Sequence, residues 1–169
     1  MNVYEAMNAR HSVRDFLDRP IEEDKLERLL RAAQAAPSGR NLQEWKLVVV
    51  RDPARRRELA RVCEQPFVAK APAVLALVAT DPDRMMSCGV PAAPVDGAIA
   101  LDHLSLAAVE EGLGTCWIGH FNQDAARKLL GVPASGRIIE MMLAGYPADR
   151  PGQRTRKPLA QLVCNETFG

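Results

Sequence analysis

Three short stretches of this sequence concentrate side chains able to do chemistry. Arg10-His11-Ser12-Val13-Arg14 puts two guanidiniums and a hydroxyl within five residues, a set suited to gripping an anion through bidentate, charge-assisted hydrogen bonds. The loop Pro37-Ser38-Gly39-Arg40-Asn41-Leu42-Gln43-Glu44-Trp45 is rich in amides and hydroxyls. Such groups can read the donor and acceptor edge of a planar heterocycle, although turn and cap chemistry accounts for Ser38, Gly39 and Asn41 equally well. Arg154-Thr155-Arg156-Lys157 is a second basic cluster, remote in sequence and set in a polar tail.

Several familiar chemistries are missing. Gly112-Leu113-Gly114 follows a helical pattern and precedes a strand, the reverse of the order a dinucleotide fingerprint requires. No phosphate loop, H-E-x-x-H, G-x-S-x-G or calcium loop occurs, so the common metal and nucleophile signatures are absent and no metal is expected. Cys116 and His120 stand four apart, but nucleophile pairs are usually distant in sequence, which favours ordinary structural roles. The four cysteines, Cys63, Cys88, Cys116 and Cys164, form no C-x-x-C pair and read as reduced, mostly buried thiols.

The elements that must position these stretches follow from the patterning. At 169 residues the chain fits one domain, 1–169, and its composition is globular: 47% hydrophobic and 25% charged. A formal charge of +1 gives no global field for nucleic acid or anionic lipid. The longest apolar run, Ala71 to Ala79, is broken by Pro72 and falls short of a bilayer span. With no apolar stretch of signal-peptide length at the N-terminus, a cytoplasmic location is expected. Leu26, Leu29, Leu30 and Ala33 predict a helix that Pro37 stops. Lys46–Val50 and Ala73–Thr80 predict strands, and Asp52-Pro53 opens a helix between them. Asp81 to Pro94 reads as an irregular loop. Val95–Leu113 is a helix apolar on nearly every side, which calls for burial by the core or by a second subunit. Thr115–Gly119 predicts a strand, Asn122 to Leu130 a helix closed by Gly131, and Arg137–Tyr146 a fourth strand. The five arginines from Arg51 to Arg61 read as a solvated helix face.

In this order, the motifs resemble those of the nitroreductase-like FMN-dependent oxidoreductases. Arg10 to Phe16 is similar to the opening R-x-S-x-R-x-F of that family, Ala36 to Trp45 to its A-P-S-x-x-N-x-Q-x-W, Gly112 to Phe121 to its G-L-G-T-C-W-I-G-x-F, and Arg154 to Pro158 to its R-x-R-K-P. The resemblance implies an α+β fold, with a mainly antiparallel central sheet flanked by helices. It also implies an intertwined homodimer whose C-terminal tail crosses to the partner subunit and whose interface holds FMN. Carried over by motif, Arg10, Arg154 and Arg156 would hold the FMN phosphate. His11, Ser12 and Arg14 would lie along the ribityl chain and the pyrimidine edge. Pro37, Ser38, Asn41 and Gln43 would approach the ring from the partner subunit. Trp117, Ile118 and Gly119 would run beside it, the backbone at Ile118-Gly119 meeting N5 and O4.

The activity the resemblance implies is ping-pong hydride transfer from NAD(P)H, through flavin N5, to a small-molecule acceptor such as a nitroaromatic or quinone. Reduction gathers negative charge on the ring, and a nearby cation lowers that cost. Arg14 is the candidate for this role, with Lys70 second; Gly119 is the other expected catalytic position, because a residue without Cβ lets the main chain approach the ring. The same motifs fit an FMN-binding protein that stores, senses or delivers flavin without turnover. They also fit a related flavoenzyme of dehalogenation, flavin fragmentation or heterocycle dehydrogenation. The short 83–94 segment, where relatives carry a longer helical excursion, leaves the acceptor open. His120 reads as a loop residue bonded to backbone, and Asp96 as a cap or interface group.

Overall fold

The computed structural model describes residues 1–149, 151–152 and 154–168; Arg150 of the basic tail, Gln153 and the terminal Gly169 lie outside the described residues. In chain order the elements are α1 (Val3–Ala9), α2 (Glu23–Gln34), β1 (Trp45–Val50), α3 (Pro53–Val62), β2 (Ala73–Ala79), α4 (Ala92–Glu110), β3 (Gly114–Ile118), α5 (Gln123–Leu130) and β4 (Arg137–Gly145). Short 3-10 turns occupy Gly39–Asn41, Pro66–Lys70 and Leu159–Gln161.

Local chemistry sets these bounds. The Asp52 carboxylate accepts from the Arg55 N–H at the start of α3, and the Asn122 amide oxygen accepts from the Ala125 N–H at the start of α5. Gly131 closes α5 in the left-handed region at φ 66°, which costs a residue without Cβ little. One expectation shifts: α4 begins at Ala92 rather than Val95, taking the last residues of the loop expected through Pro94. Pro94 fits there because a helix's first turn needs no amide donor from it.

The four strands form an antiparallel sheet in the order β1-β2-β4-β3. All seven residues of β2 are buried, as expected of a central strand covered on both faces. On one face Val74, Ala76, Cys116, Ile118, Met141 and Leu143 pack with α3, α5 and Val68. On the other, Leu75, Leu77, Met142 and Ala144 meet Leu26 and Leu29 of α2 and Leu101 and Leu104 of α4. Fully burying each large aliphatic side chain stabilises by roughly 1.5–3 kcal/mol. By length and apolarity α4 could span a bilayer, although its apolar residues are interrupted by Pro94, Asp96 and Asp102; half of that stretch is buried within the domain.

Two glycines let chain segments touch where the site is built. A Cβ on Gly114 would stand 2.3 Å from Val13 Cγ2, and one on Gly145 would stand 2.4 Å from Pro72 Cδ. Both are closer than packed atoms tolerate, so these positions bring the 12–17 segment and the entry to β2 against the sheet.

Candidate active site

The 10–17 segment runs beside the edge strand β3. Ser12 bridges Thr115 in parallel fashion, and the Val13 N–H donates to the Thr115 carbonyl at 2.9 Å. Val13 is fully buried, so the period of an extended chain turns Ser12 and Arg14 the other way, into the groove outside the sheet. The zipper continues past β4: Leu17 N–H donates to the Tyr146 carbonyl and Ala148 N–H to the Asp15 carbonyl, each at 2.9 Å. This pairing carries the chain beyond β4 back to residue 10, and an Arg154 Nη1–H donates to the Arg10 carbonyl.

The result is a groove of about 430 Å³ lined by Arg10, His11, Ser12, Arg14, Asp149, Gly152, Arg154 and Arg156. Four guanidiniums thus face one carboxylate in a single cavity, an unpaired excess of the kind that a dianionic phosphate neutralises. Two buried polar atoms there, His11 Nε2 and Asp149 Oδ1, lie 3.5 Å apart and have no hydrogen-bond partner. The other Asp149 oxygen accepts from the Arg14 N–H at 3.2 Å. The donor set therefore fits a terminal phosphate with an attached polyol.

Lys70 stands at the end of the 66–70 turn, paired with Asp15 at 2.8 Å. Arg56 fixes that turn by donating to the Ala69 and Ala71 carbonyls at 3.1 and 2.5 Å, so one member of the arginine run is structural rather than solvated. The Cys116 thiol is buried and held above its usual range by desolvation, with the Arg14 charge pulling the other way. His120 is exposed and faces Glu64 at 3.7 Å. Cys116 is buried while His120 is exposed, and among the described contacts the His120 ring stands near a carboxylate without a hydrogen bond to backbone. Of the cysteines, Cys63 and Cys116 are buried, while Cys88 and Cys164 are exposed.

Beyond the exit of β3 lies a second cavity, of about 530 Å³, whose walls include Trp117, Gly119, Phe121, Ile139 and Glu140. A Cβ on Gly119 would stand 3.1 Å from Glu140 Oε1, so the position keeps the backbone open to close approach. Glu140 was not singled out from the sequence. A lone acid in an apolar strand is its only trace there, and its pairing across the sheet decides which face it takes. The ladder pairs Leu77 with Glu140 but Val78 with Ile138, so Glu140 keeps the α4-facing side of Leu77 and Met142, and the bulged Ile139 packs against that same side.

Burial raises the pKa of Glu140. A carboxyl with a higher pKa folded than unfolded costs stability as pH rises, because the unfolded chain releases the proton more readily. Glu140→Gln is therefore expected to raise the thermal midpoint of the flavin-free protein at about pH 8, with the gain closing below about pH 4. Calorimetry of both proteins across that range checks it, and a pH-independent difference would remove the electrostatic cause.

The Pro37–Gln43 loop sits elsewhere. It enters β1, the edge strand opposite β3, with β2 and β4 between, a separation of roughly 14 Å by strand spacing alone. Arg40, Asn41 and Gln43 all have positive φ, at 55°, 57° and 52°, a costly state that the surroundings must hold. Asp96 does so. It is 5% exposed, accepts from the Gly39 N–H at 2.9 Å and pairs with Arg84 Nη2 at 3.0 Å. Arg84 also bonds Glu44. Asp96 is thus not a helix cap, which falls at Pro91. It ties α4, the 81–91 segment and the 37–44 loop together. Ser38 Oγ accepts from the Gln43 N–H at 3.2 Å, and Gln43 Nε2 donates to the Asn41 carbonyl at 2.9 Å.

The sequence-expected residues thus fall in separate places. Arg10, His11, Ser12, Arg14, Arg154 and Arg156 share the groove; Trp117 and Gly119 line the second cavity; Ile118 is buried at the end of β3; Pro37, Ser38, Asn41 and Gln43 lie across the sheet.

Comparison with known proteins gives a consistent picture. A family model described as the nitroreductase family matches residues 7–81 and 60–146. A Thermus thermophilus protein named NADH dehydrogenase is 31% identical, covering 91% of each chain. A Bacillus subtilis FMN reductase [NAD(P)H] is 28% identical over 98% of this chain and 74% of its own. Among solved structures, a nitroreductase family protein from Clostridium difficile is 31% identical with a TM-score of 0.89, covering 99% of this chain and 100% of its own. The NADPH:FMN oxidoreductase of Vibrio harveyi, complexed with NAD+, is 27% identical with a TM-score of 0.91, over 100% of this chain and 79% of its own.

Proposed function

This chain belongs to the nitroreductase family, and from that premise we propose that it is an FMN-dependent NAD(P)H oxidoreductase acting by ping-pong transfer on a small organic acceptor such as a nitroaromatic or quinone. The observation that carries the reading is the meeting of Arg10, Arg14, Arg154 and Arg156, from both ends of the chain, in one groove beside β3.

When bound, FMN supplies the hydride relay between a nicotinamide and the acceptor. Arg10, Arg154 and Arg156 neutralise and orient the phosphate, with charge-assisted hydrogen bonds that a neutral groove could not offer. Ser12 and His11, which line the same groove, would border the polyol. Arg14 places positive charge where electron density accumulates on reduction, which favours the transition state more than the ground state. Lys70, already paired with Asp15, has its charge partly answered and ranks behind Arg14. Gly119, without a Cβ, and the backbone at Ile118 would offer the ring a close neighbour, with Trp117 beside them.

A ligand outside β3 does not meet a loop outside β1 of the same chain, so a second copy brings Pro37, Ser38, Asn41 and Gln43 to it. Surface chemistry favours such a homodimer. Val3, Tyr4 and Met7 of α1 are exposed, as are Leu159, Leu162, Val163 and Phe168 of the tail, more apolar surface in single stretches than a lone subunit usually leaves in water. Residues 157–168 of the tail are exposed, a surface suited to lying across a partner.

The test has three readings. The purified protein is expected to be yellow, to release FMN and not FAD on denaturation, and to scatter light as a dimer. Added quinone or nitroaromatic should then drive steady NAD(P)H oxidation. Bound FMN without turnover on any acceptor would make it a flavin carrier, and a colourless protein that cannot be reconstituted would sink the reading.

A further inference from the structure

The cavity between α4, β3 and β4 contains a charged group for which the function proposed above has no use. Glu140 shares its wall with two aromatic side chains, Trp117 and Phe121. Its carboxylate has no hydrogen-bond or ion-pair partner among the described residues, and burial alone shapes its protonation. No other lining group is placed to answer it. From α4 the cavity receives Pro94 and Ala98, which are uncharged. From α5 it receives Gln123, whose amide is committed to both backbone groups of Ile138 at 2.8 and 3.1 Å. Arg137, the remaining charge on the wall, is exposed at the start of β4 and makes no ion pair with Glu140.

We propose that Glu140, with Trp117 and Phe121, makes this cavity selective for flat aromatic cations of the pyridinium type. A half-buried carboxylate without a partner is costly, and an entering cation relieves that cost while an anion adds to it. The faces of Trp and Phe carry negative potential and attract the same kind of ligand. Glu140 pairs with Leu77 and so shares the α4-facing side of the sheet with Leu77 and Met142, and the Cβ-free Gly119 leaves room beside it.

The inference deepens the proposed activity and rests on it for one ligand. A dihydronicotinamide that gives up hydride loses two electrons and one proton together to the bound cofactor, and is left as a pyridinium. Glu140 stabilises that ring as its charge appears, so it acts as a specificity-determining residue toward the donor.

The test measures binding at equilibrium. 1-Methylnicotinamide, a pyridinium cation, and neutral nicotinamide are titrated calorimetrically into wild type, Glu140→Gln and Arg137→Gln, with and without flavin. Wild type is expected to prefer the cation by at least about tenfold. Glu140→Gln should lose that preference while binding nicotinamide within about twofold of wild type. Arg137→Gln should keep or increase it. Circular dichroism of each variant verifies folding, and Glu140→Asp is the fallback if the glutamine variant does not fold, with a weakened preference expected. Equal affinities in wild type, no binding of either ligand, or an undiminished preference in the Glu140 variant overturns the proposal. The flavin content of the same preparations reports separately on the proposed activity, since the cation preference is also read without flavin.

Discussion

Alanine at Arg154 or Arg156 is expected to weaken FMN binding about 10- to 150-fold, the loss typical of one charged hydrogen bond, while the reduction rate of flavin still bound changes little. Both side chains line the groove with Arg10, and Arg154 additionally bonds the Arg10 carbonyl. Its removal should therefore loosen Arg10 as well, and Arg154→Ala should be the more damaging of the two. Arg14→Ala is expected to behave differently. Its backbone is fixed by Asp149 and by the neighbouring Val13 anchor, so the substitution removes charge without moving the chain. It should lower the flavin reduction potential and slow hydride transfer even at saturating FMN. FMN titration of each flavin-free variant, followed by stopped-flow reduction with NAD(P)H, separates the two effects. Tail variants that lose only rate, or an Arg14 variant that loses only affinity, would reverse the assignment.

Asp96→Ala should have the second large effect, and on a part of the molecule remote from the arginine groove. The substitution strips the Gly39 N–H of its acceptor and leaves Arg84 with Glu44 alone. Loss of two bonds at a buried carboxylate should lower the thermal midpoint by about 5–10 °C. It should also release the positive-φ turn at Arg40, Asn41 and Gln43, which has no other buried anchor among the described contacts. If that loop reaches flavin in a second subunit, FMN affinity falls together with stability. Asp96→Asn, which keeps an acceptor for Gly39, should recover much of the FMN affinity. A stability loss with FMN affinity unchanged would show that the loop does not touch the cofactor.

How far the sequence reaches differs from element to element. The helix over Glu23–Gln34 was legible because Leu26, Leu29 and Ala33 repeat at helical spacing between an acidic first turn and Pro37. The strands were legible because their apolar runs are short and bounded by turn residues, and Asn122 and Gly131 marked the ends of α5 through local hydrogen bonds and φ alone. Information of this kind lies within a few residues of where it acts. The motif residues that define the family were legible for the same reason, because their types and spacing are written in order along the chain.

Tertiary structure decided which of them meet. Arg10 and Arg154 are 144 positions apart and touch because Val13, once buried, pins the 10–17 segment to β3, and residues 146–148 then pair with it. The strand order put Ser38, Asn41 and Gln43 on the opposite edge from Arg10, a separation that motif order cannot express. Asp96 became an anchor only when α4 packed near Gly39, and Glu140 became a cavity group only when β4 paired with β2 and turned it, opposite Leu77, toward α4. Side-chain identity and local spacing determined the elements and the family. Packing, register and strand order, which depend on contacts between distant residues, determined which charges face one another and which are left without a partner.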